Sequence, residues 1–270
     1  MIPLQDNIPC RTTPVVNWLM IGICTVVFLA QVKEGPGEPS LVERYGMIPS
    51  RITRPSEPVD VVVYEGEIDT PRGEQRVQQT REAAPSAVPA IFTLLTCVFL
   101  HGGWMHFLGN MWFLHIFGDN VEDRFGHFGY ALFYLAGGIA ASLMHLISAP
   151  FSDVPTIGAS GAIAAVMGAY FVWYPHAYVK AVIPLFVVMQ IAVVPATLFL
   201  GIWFLMQFFQ GTASILGTEA SGVAWWAHIG GFAFGAALAW FLGKTPAVYP
   251  RNNVIRPGED HVSTYRRWPR

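Results

Sequence analysis

Apolar stretches long enough to cross a bilayer recur along this chain, and that recurrence constrains the fold more than any other feature. A spanning helix needs about 20 mostly apolar residues, because a backbone in lipid must satisfy its own hydrogen bonds. Pro14–Val32, Trp104–Val121, His127–Ile147, Gly158–Tyr174, Pro195–Gln210 and Ala224–Gly243 read as spans 1 to 6. Charged residues make up 13% of the chain, against about 25% in soluble domains, and mean hydropathy is +0.42. The class is therefore an all-α, polytopic membrane protein of six transmembrane helices. A net charge of −2 without a basic stripe sets nucleic acid aside. The lipid bilayer is the partner that the composition demands.

One segment admits two readings. Val179–Gln210 forms either two short spans broken at Pro195, or a loop (Val179–Val194) followed by one span. Its first half is β-branched, holds Lys180 and Pro184, and is short for a crossing, which favours the loop. Orientation follows from Lys and Arg in short loops. With the N-terminus inside, the inner segments carry Arg11, Arg124, Lys180 and a basic tail, whereas the outer loops Ser148–Ile157 and Gly211–Val223 carry no Lys or Arg. Residues 1–13 are then a cytoplasmic N-terminus, 14–32 transmembrane helix 1, 33–103 a long outer loop, 104–243 transmembrane helices 2–6, and 244–270 a cytoplasmic basic tail. The long loop holds Lys33 and six arginines up to residue 88, with a short strand expected around Val61–Tyr64. Pro89–Leu100 is apolar but too short to cross, so it is expected in the interface or as a re-entrant segment. The exit of span 1, Phe28-Leu29-Ala30-Gln31, makes a poor A-x-A site, so a retained span is expected rather than a cleaved signal. Cys10, Cys24 and Cys97 have no C-x-x-C spacing and read as incidental.

Polar side chains inside spans are costly and mark function unless a plainer role explains them. With six spans, the even-numbered helices all start at the outer face. Span 2 brings His106 and Asn110 within its first two turns, span 4 brings Ser160 in its first turn, and span 6 brings His228 near its start. At about 1.5 Å per residue, these four side chains lie within roughly 10 Å of the outer helix ends. A hydroxyl, a histidine able to deprotonate it, and donors for an oxyanion form a catalytic inventory. Singly, each residue has a plainer explanation: a helical serine bonds its own i−4 carbonyl, and a lone histidine near a helix end sits in the interface. Three helices presenting compatible groups at one depth shift the balance. Span 4 also carries Gly161, Ala165 and Ala169, and span 6 carries Ala227, Gly231 and Gly235. Small faces of this kind let backbones approach closely and would bring Ser160 to His228. Asp153 and Glu219 lie in outer loops, and Asp119, Glu122 and Asp123 lie at the inner end of span 2. A Ser–His dyad without an acid is the expectation.

The strings His101-Gly-Gly-Trp-Met-His106-Phe-Leu-Gly-Asn110, Gly158-Ala159-Ser160-Gly161-Ala162 and Ala227-His228-Ile-Gly-Gly occur in that order on spans 2, 4 and 6. Together they resemble the rhomboid family of intramembrane serine proteases, over about residues 90–243. The resemblance implies a six-helix rhomboid-like bundle with Ser160 as nucleophile and His228 as general base. It implies oxyanion stabilisation by His106 and Asn110, a tight helix entry at Gly158 beside Gly161, and a structural role for His101 in the first outer loop. It further implies endopeptidase cleavage of transmembrane helices of membrane-protein substrates near the outer face of the cell membrane. No metal or organic cofactor is implied. Residues 195–210 would form a lateral gate. Two positions depart from the family pattern: Phe92-Thr93 stand where a Trp-Arg pair is frequent, and Ala164 stands where an aromatic often stacks on the histidine. His115, His127 and His145 match no motif and read as interfacial or packing residues. A non-catalytic relative that binds membrane helices would have lost Ser160 or His228, and a transporter would bury charges at mid-span.

Overall fold

The computed structural model describes residues 1–35, 39–70, 73–185, 188–215 and 223–243. Residues 216–222 and the basic tail from residue 244 lie outside the described residues. In chain order the elements are β1 (Ile2–Asp6), α1 (Val15–Val32), α2 (Leu41–Tyr45), α3 (Pro49–Thr53), β2 (Asp60–Thr70) and β3 (Gly73–Glu82). Two 3₁₀ turns, Ala90–Phe92 and Cys97–Phe99, then flank α4 (Thr93–Thr96). The remainder is α5 (Trp104–Ser148), α6 (Ser160–Trp173), β4 (Tyr178–Leu185), β5 (Val188–Pro195), α7 (Ala196–Ile215) and α8 (Trp225–Leu242).

The architecture is a polytopic helical bundle. Helices α1, α5, α7 and α8 are long and apolar enough to cross a membrane. The 45-residue α5 breaks at Gly126, whose φ of 70° and ψ of 164° leave the helical region and reverse the chain between spans 2 and 3. A left-handed φ of this kind suits glycine, which has no Cβ to clash. The 14-residue α6 rises only about 21 Å, against roughly 30 Å for a hydrocarbon core. Every residue from Gly161 to Tyr170 is buried, so α6 stands at the centre of the bundle, enclosed by its neighbours.

Close approach of α6 and α8 follows from the small residues. A Cβ at Gly231 would overlap the Gly161 carbonyl oxygen, and one at Gly235 would overlap the Ala165 carbonyl oxygen. Side chains on α1 alternate between two environments: Asn17, Met20, Cys24 and Phe28 are buried, whereas Trp18, Leu19, Val26 and Leu29 are exposed. The i, i+3/i+4 spacing of the buried set is one helical stripe facing α5. The start of α1 is capped from α5. The buried Glu122 carboxylate accepts from the Val16 N–H (3.0 Å) and the Asn17 N–H (2.7 Å), and its Oε1 also meets His127 Nδ1. Asn17 donates to the Leu114 carbonyl (3.1 Å) and accepts from the Tyr130 hydroxyl (2.8 Å). His127 thus serves as a partner of this cap.

Strands sit outside the helices. Residues Val179–Val194, expected as a loop, fold as the antiparallel β4–β5 hairpin with Lys180 opposite Val193. Their β-branched content, which argues against a span, is what a pleated strand accommodates. Strand β1 pairs antiparallel with β4 to complete a sheet ordered β1-β4-β5. The short strand expected near Val61–Tyr64 belongs to the longer β2, paired with β3. The β1 end is tied to the bundle by Trp112 Nε1 donating to the Pro3 carbonyl (2.6 Å) and by Asn120 Nδ2 donating to Asp6 (2.9 Å).

In the segment between α1 and α5, Glu43 is buried under Arg81, which donates two bonds to it (3.0 and 2.6 Å), and the Ala84 N–H adds a third (3.1 Å). Burial alone would raise the Glu43 pKa, but these donors and the Arg81 charge outweigh it and lower the carboxyl below 4.5.

Candidate active site

The starts of α5, α6 and α8 meet at one end of the bundle, opposite the β1-β4-β5 sheet. There His228 Nε2 lies 2.7 Å from Ser160 Oγ. Two local features place Ser160. Gly158 enters α6 with φ +127°, a conformation strained for any residue with a Cβ, and a Cβ there would stand 2.8 Å from His106 Nε2. The Gly158 N–H donates to the Cys97 carbonyl (2.9 Å), tying the entry of α6 to the segment before α5. Ser160 is the first residue of α6, so its backbone N–H has no acceptor within the helix.

His106 and Asn110 lie one turn apart on α5, and His106 borders this point. The space where a Gly158 Cβ would stand is 2.8 Å from His106 and 3.6 Å from Ser160 Oγ, which puts the imidazole and hydroxyl on either side of one small gap. The Gly102 N–H donates to His106 Nδ1 (3.3 Å). An accepting Nδ1 in a neutral ring leaves the proton on Nε2, so His106 presents an N–H to the gap. Asn110 is buried and its Nδ2 has no hydrogen-bond partner among the described residues; a buried amide donor left unpaired marks a place for an acceptor. His106 itself is exposed, and Ser160 and His228 are half-buried, so the gap opens to the surrounding medium.

His101 packs edge-on against His106, with centroids 5.4 Å apart, and against Phe28 and Phe107. Its backbone N–H and carbonyl are both held by the Gln31 side chain of α1, at 3.0 and 3.1 Å. The loop position is therefore secured by Gln31, while the buried imidazole packs among these rings with no hydrogen-bond partner for either nitrogen among the described residues. Thr96 Oγ1 donating to the Tyr45 carbonyl (2.6 Å) anchors the same segment from α2, while Phe92, at the place of the absent Trp-Arg pair, is exposed.

Three side chains around His228 lie outside the set that the sequence points to. Gln207 on α7 places Oε1 2.7 Å from His228 Nδ1. Trp203, one turn earlier on α7, lies against the imidazole face with centroids 5.8 Å apart and planes 38° apart, and Trp225 meets its edge at 6.1 Å. An aromatic flank is thus supplied from α7, where Ala164 on α6 leaves room. His145 is half-buried with no partner for Nδ1 among the described residues, and His115 is exposed. Among the described residues no group of three His, Cys, Asp or Glu side chains is placed to hold a metal ion.

The Rhomboid domain model matches residues 89–245, more than half of the chain. The chain belongs to the rhomboid family. This is an intramembrane protease family, and the matched Rhomboid domain takes in α4 to α8, with Ser160, His228, His106, Asn110 and Gln207. Among relatives, Rhomboid-like protein 11, chloroplastic, of Arabidopsis thaliana is 29% identical over 164 residues, covering 59% of this chain and 55% of its own. RHOMBOID-like protein 12, mitochondrial, of the same plant is 31% identical over 172 residues, covering 56% of this chain and 46% of its own. RHOMBOID-like protein 4 is 33% identical over 156 residues, covering 55% of this chain and 33% of its own. The chain thus spans about half the length of the first two of these relatives.

Proposed function

We propose that this rhomboid is a serine endopeptidase that cleaves transmembrane helices of membrane-protein substrates with a Ser160–His228 dyad. The observation that carries the reading is the 2.7 Å contact between Ser160 Oγ and His228 Nε2 at the shared helix ends. Ser160 Oγ attacks the scissile carbonyl carbon while its proton passes to His228 Nε2. The oxyanion takes hydrogen bonds from Asn110 Nδ2, His106 Nε2–H and the Ser160 backbone N–H. His228 then gives the proton to the leaving amine as the C–N bond breaks. A water molecule, deprotonated by His228, releases the acyl group and restores the Ser160 hydroxyl. Hydrolysis requires water at the gap, and the exposed side of His106 supports its entry there.

The short α6 supports a site below the membrane surface. A helix about 9 Å shorter than the hydrocarbon core cannot reach both interfaces, so Ser160 lies where a substrate helix must unwind to offer its backbone. By charge distribution the site opens to the outer side of the cell membrane, with both termini cytoplasmic. The test is cleavage of a single-span substrate in proteoliposomes by wild type and Ser160→Ala, with the cut mapped by mass spectrometry. Cleavage within or beside the substrate span by wild type alone is expected; equal turnover by the two proteins refutes the proposal. Reactivity of Ser160 with a fluorophosphonate, lost in Ser160→Ala and weakened in His228→Ala, tests the dyad separately.

A further inference from the structure

Resting on the dyad proposed above, we infer that Gln207 of α7 is a positioning residue that sets His228 in the tautomer able to act as a base, in the place where a soluble triad uses a carboxylate. Hydrogen-bond donors and acceptors around the amide decide the tautomer. Gln207 Nε2 lies 3.3 Å from the Trp203 carbonyl oxygen, an atom that only accepts. The amide therefore has its nitrogen toward Trp203 and its oxygen toward His228, 2.7 Å from Nδ1. An oxygen that only accepts requires a proton on Nδ1. In a neutral imidazole the other nitrogen then carries the lone pair, and that nitrogen, Nε2, faces Ser160 Oγ at 2.7 Å. Gln207 is buried, so water does not compete for the bond.

His106 is set the opposite way. Its Nδ1 accepts from the Gly102 N–H, which places the proton on Nε2. Two histidines one gap apart are thereby fixed in opposite tautomers by opposite Nδ1 partners: His228 to take a proton, His106 to donate a hydrogen bond. Gln207 differs from a triad aspartate in one respect. It fixes ring orientation and tautomer but brings no charge to balance an imidazolium.

The test compares wild type, Gln207→Met, Gln207→Glu and Ser160→Ala in proteoliposomes on one single-span substrate. Met keeps the volume and removes the acceptor; Glu keeps an oxygen opposite Nδ1. Loss of a buried hydrogen-bond partner predicts a roughly 5- to 100-fold fall in kcat for Gln207→Met with KM unchanged, and recovery of most of that loss in Gln207→Glu. Wild-type kcat in Gln207→Met, or equal loss in Met and Glu, overturns the inference. A Ser160→Ala protein that still cleaves would instead overturn the dyad, so the two failures are distinct. A second measurement needs no folded Gln207 variant. In ¹⁵N-histidine spectra, the signal lost in His228→Ala should show a protonated Nδ1 and an unprotonated Nε2, and the reverse pattern refutes the assignment.

Discussion

Replacing Gly231 with alanine tests whether the α6–α8 contact holds the site together. The new Cβ would overlap the Gly161 carbonyl oxygen and come within 3.0 Å of its carbon and 3.3 Å of the Ala164 Cβ. None of these atoms is the end of a flexible side chain, so the helices themselves must part. Both ends of the dyad feel that movement, because Gly161 follows Ser160 and Gly231 lies one turn beyond His228. The Ser160–His228 separation is 2.7 Å and tolerates only about 0.5 Å of stretch before a hydrogen bond is lost. A misplacement of about 1 Å at reacting atoms costs roughly 100-fold in rate, and overpacking costs about 1–3 kcal/mol of stability. Steady-state cleavage in proteoliposomes should show that fall mainly in kcat, and thermal unfolding in detergent should show a lower Tm. Gly22→Ala and Gly109→Ala are the controls, since nothing lies within 4 Å of either added Cβ. Alanine favours a helix by roughly 0.5–1 kcal/mol over glycine, so these two should keep or gain stability. A Gly231→Ala protein with wild-type kcat refutes the claim that this contact sets the dyad distance.

Other perturbations separate the site from its supports. Asn110→Ala should lower kcat by roughly 10²–10³ with little change in KM, as removal of one oxyanion donor does; an unchanged kcat would take Asn110 out of the reaction. Glu122→Ala removes the acceptor for two N–H groups at the start of α1 and should cost about 0.5–2 kcal/mol, seen as a lower Tm without loss of fluorophosphonate labelling. The lowered pKa of Glu43 makes the segment between α1 and α5 sensitive to acid. A depressed carboxyl stabilises the fold above its unfolded value of 4.5, and that contribution is lost as pH falls through the lower folded value. Limited proteolysis of residues 41–84 should therefore accelerate below pH 4.5 in wild type, whereas Glu43→Gln should be cleaved readily at neutral pH as well.

Much of the arrangement is legible in the sequence because its signals are local. His106 and Asn110 share a turn, the glycine stripe of α8 is regular, and Ser160 opens its helix; each can be read within a few residues. Gln207 escapes a reading that considers only the starts of even-numbered spans. Span 5 runs the other way and brings its end to the same face, so a polar residue near that end meets the same criterion as His228. Asn17, a buried amide near the start of α1, also escapes that reading, although it lies at the other end of the bundle from His228. Pairing between distant segments is a different matter. Nothing in Ile2–Asp6 announces a partner in Tyr178–Leu185, because strand pairing depends on edge availability rather than on any short motif. Within β4, Pro184 and Lys180 argue against a span and say little about a hairpin, so a loop is as far as those residues lead.

The cap on α1 has a consequence for the order of synthesis. Helix α1 is made first, and Glu122 follows Val16 by 106 residues. Until α5 arrives, the leading N–H groups of α1 lack that carboxylate, and the Asn17 amide lacks both the Leu114 carbonyl and the Tyr130 hydroxyl. A nascent chain cut short before Leu114 would lack both of those partners, and polar groups without partners are costly in lipid. The first helix therefore completes its hydrogen bonding only when the segment carrying the site has entered the membrane beside it, which makes assembly of the two a single late event.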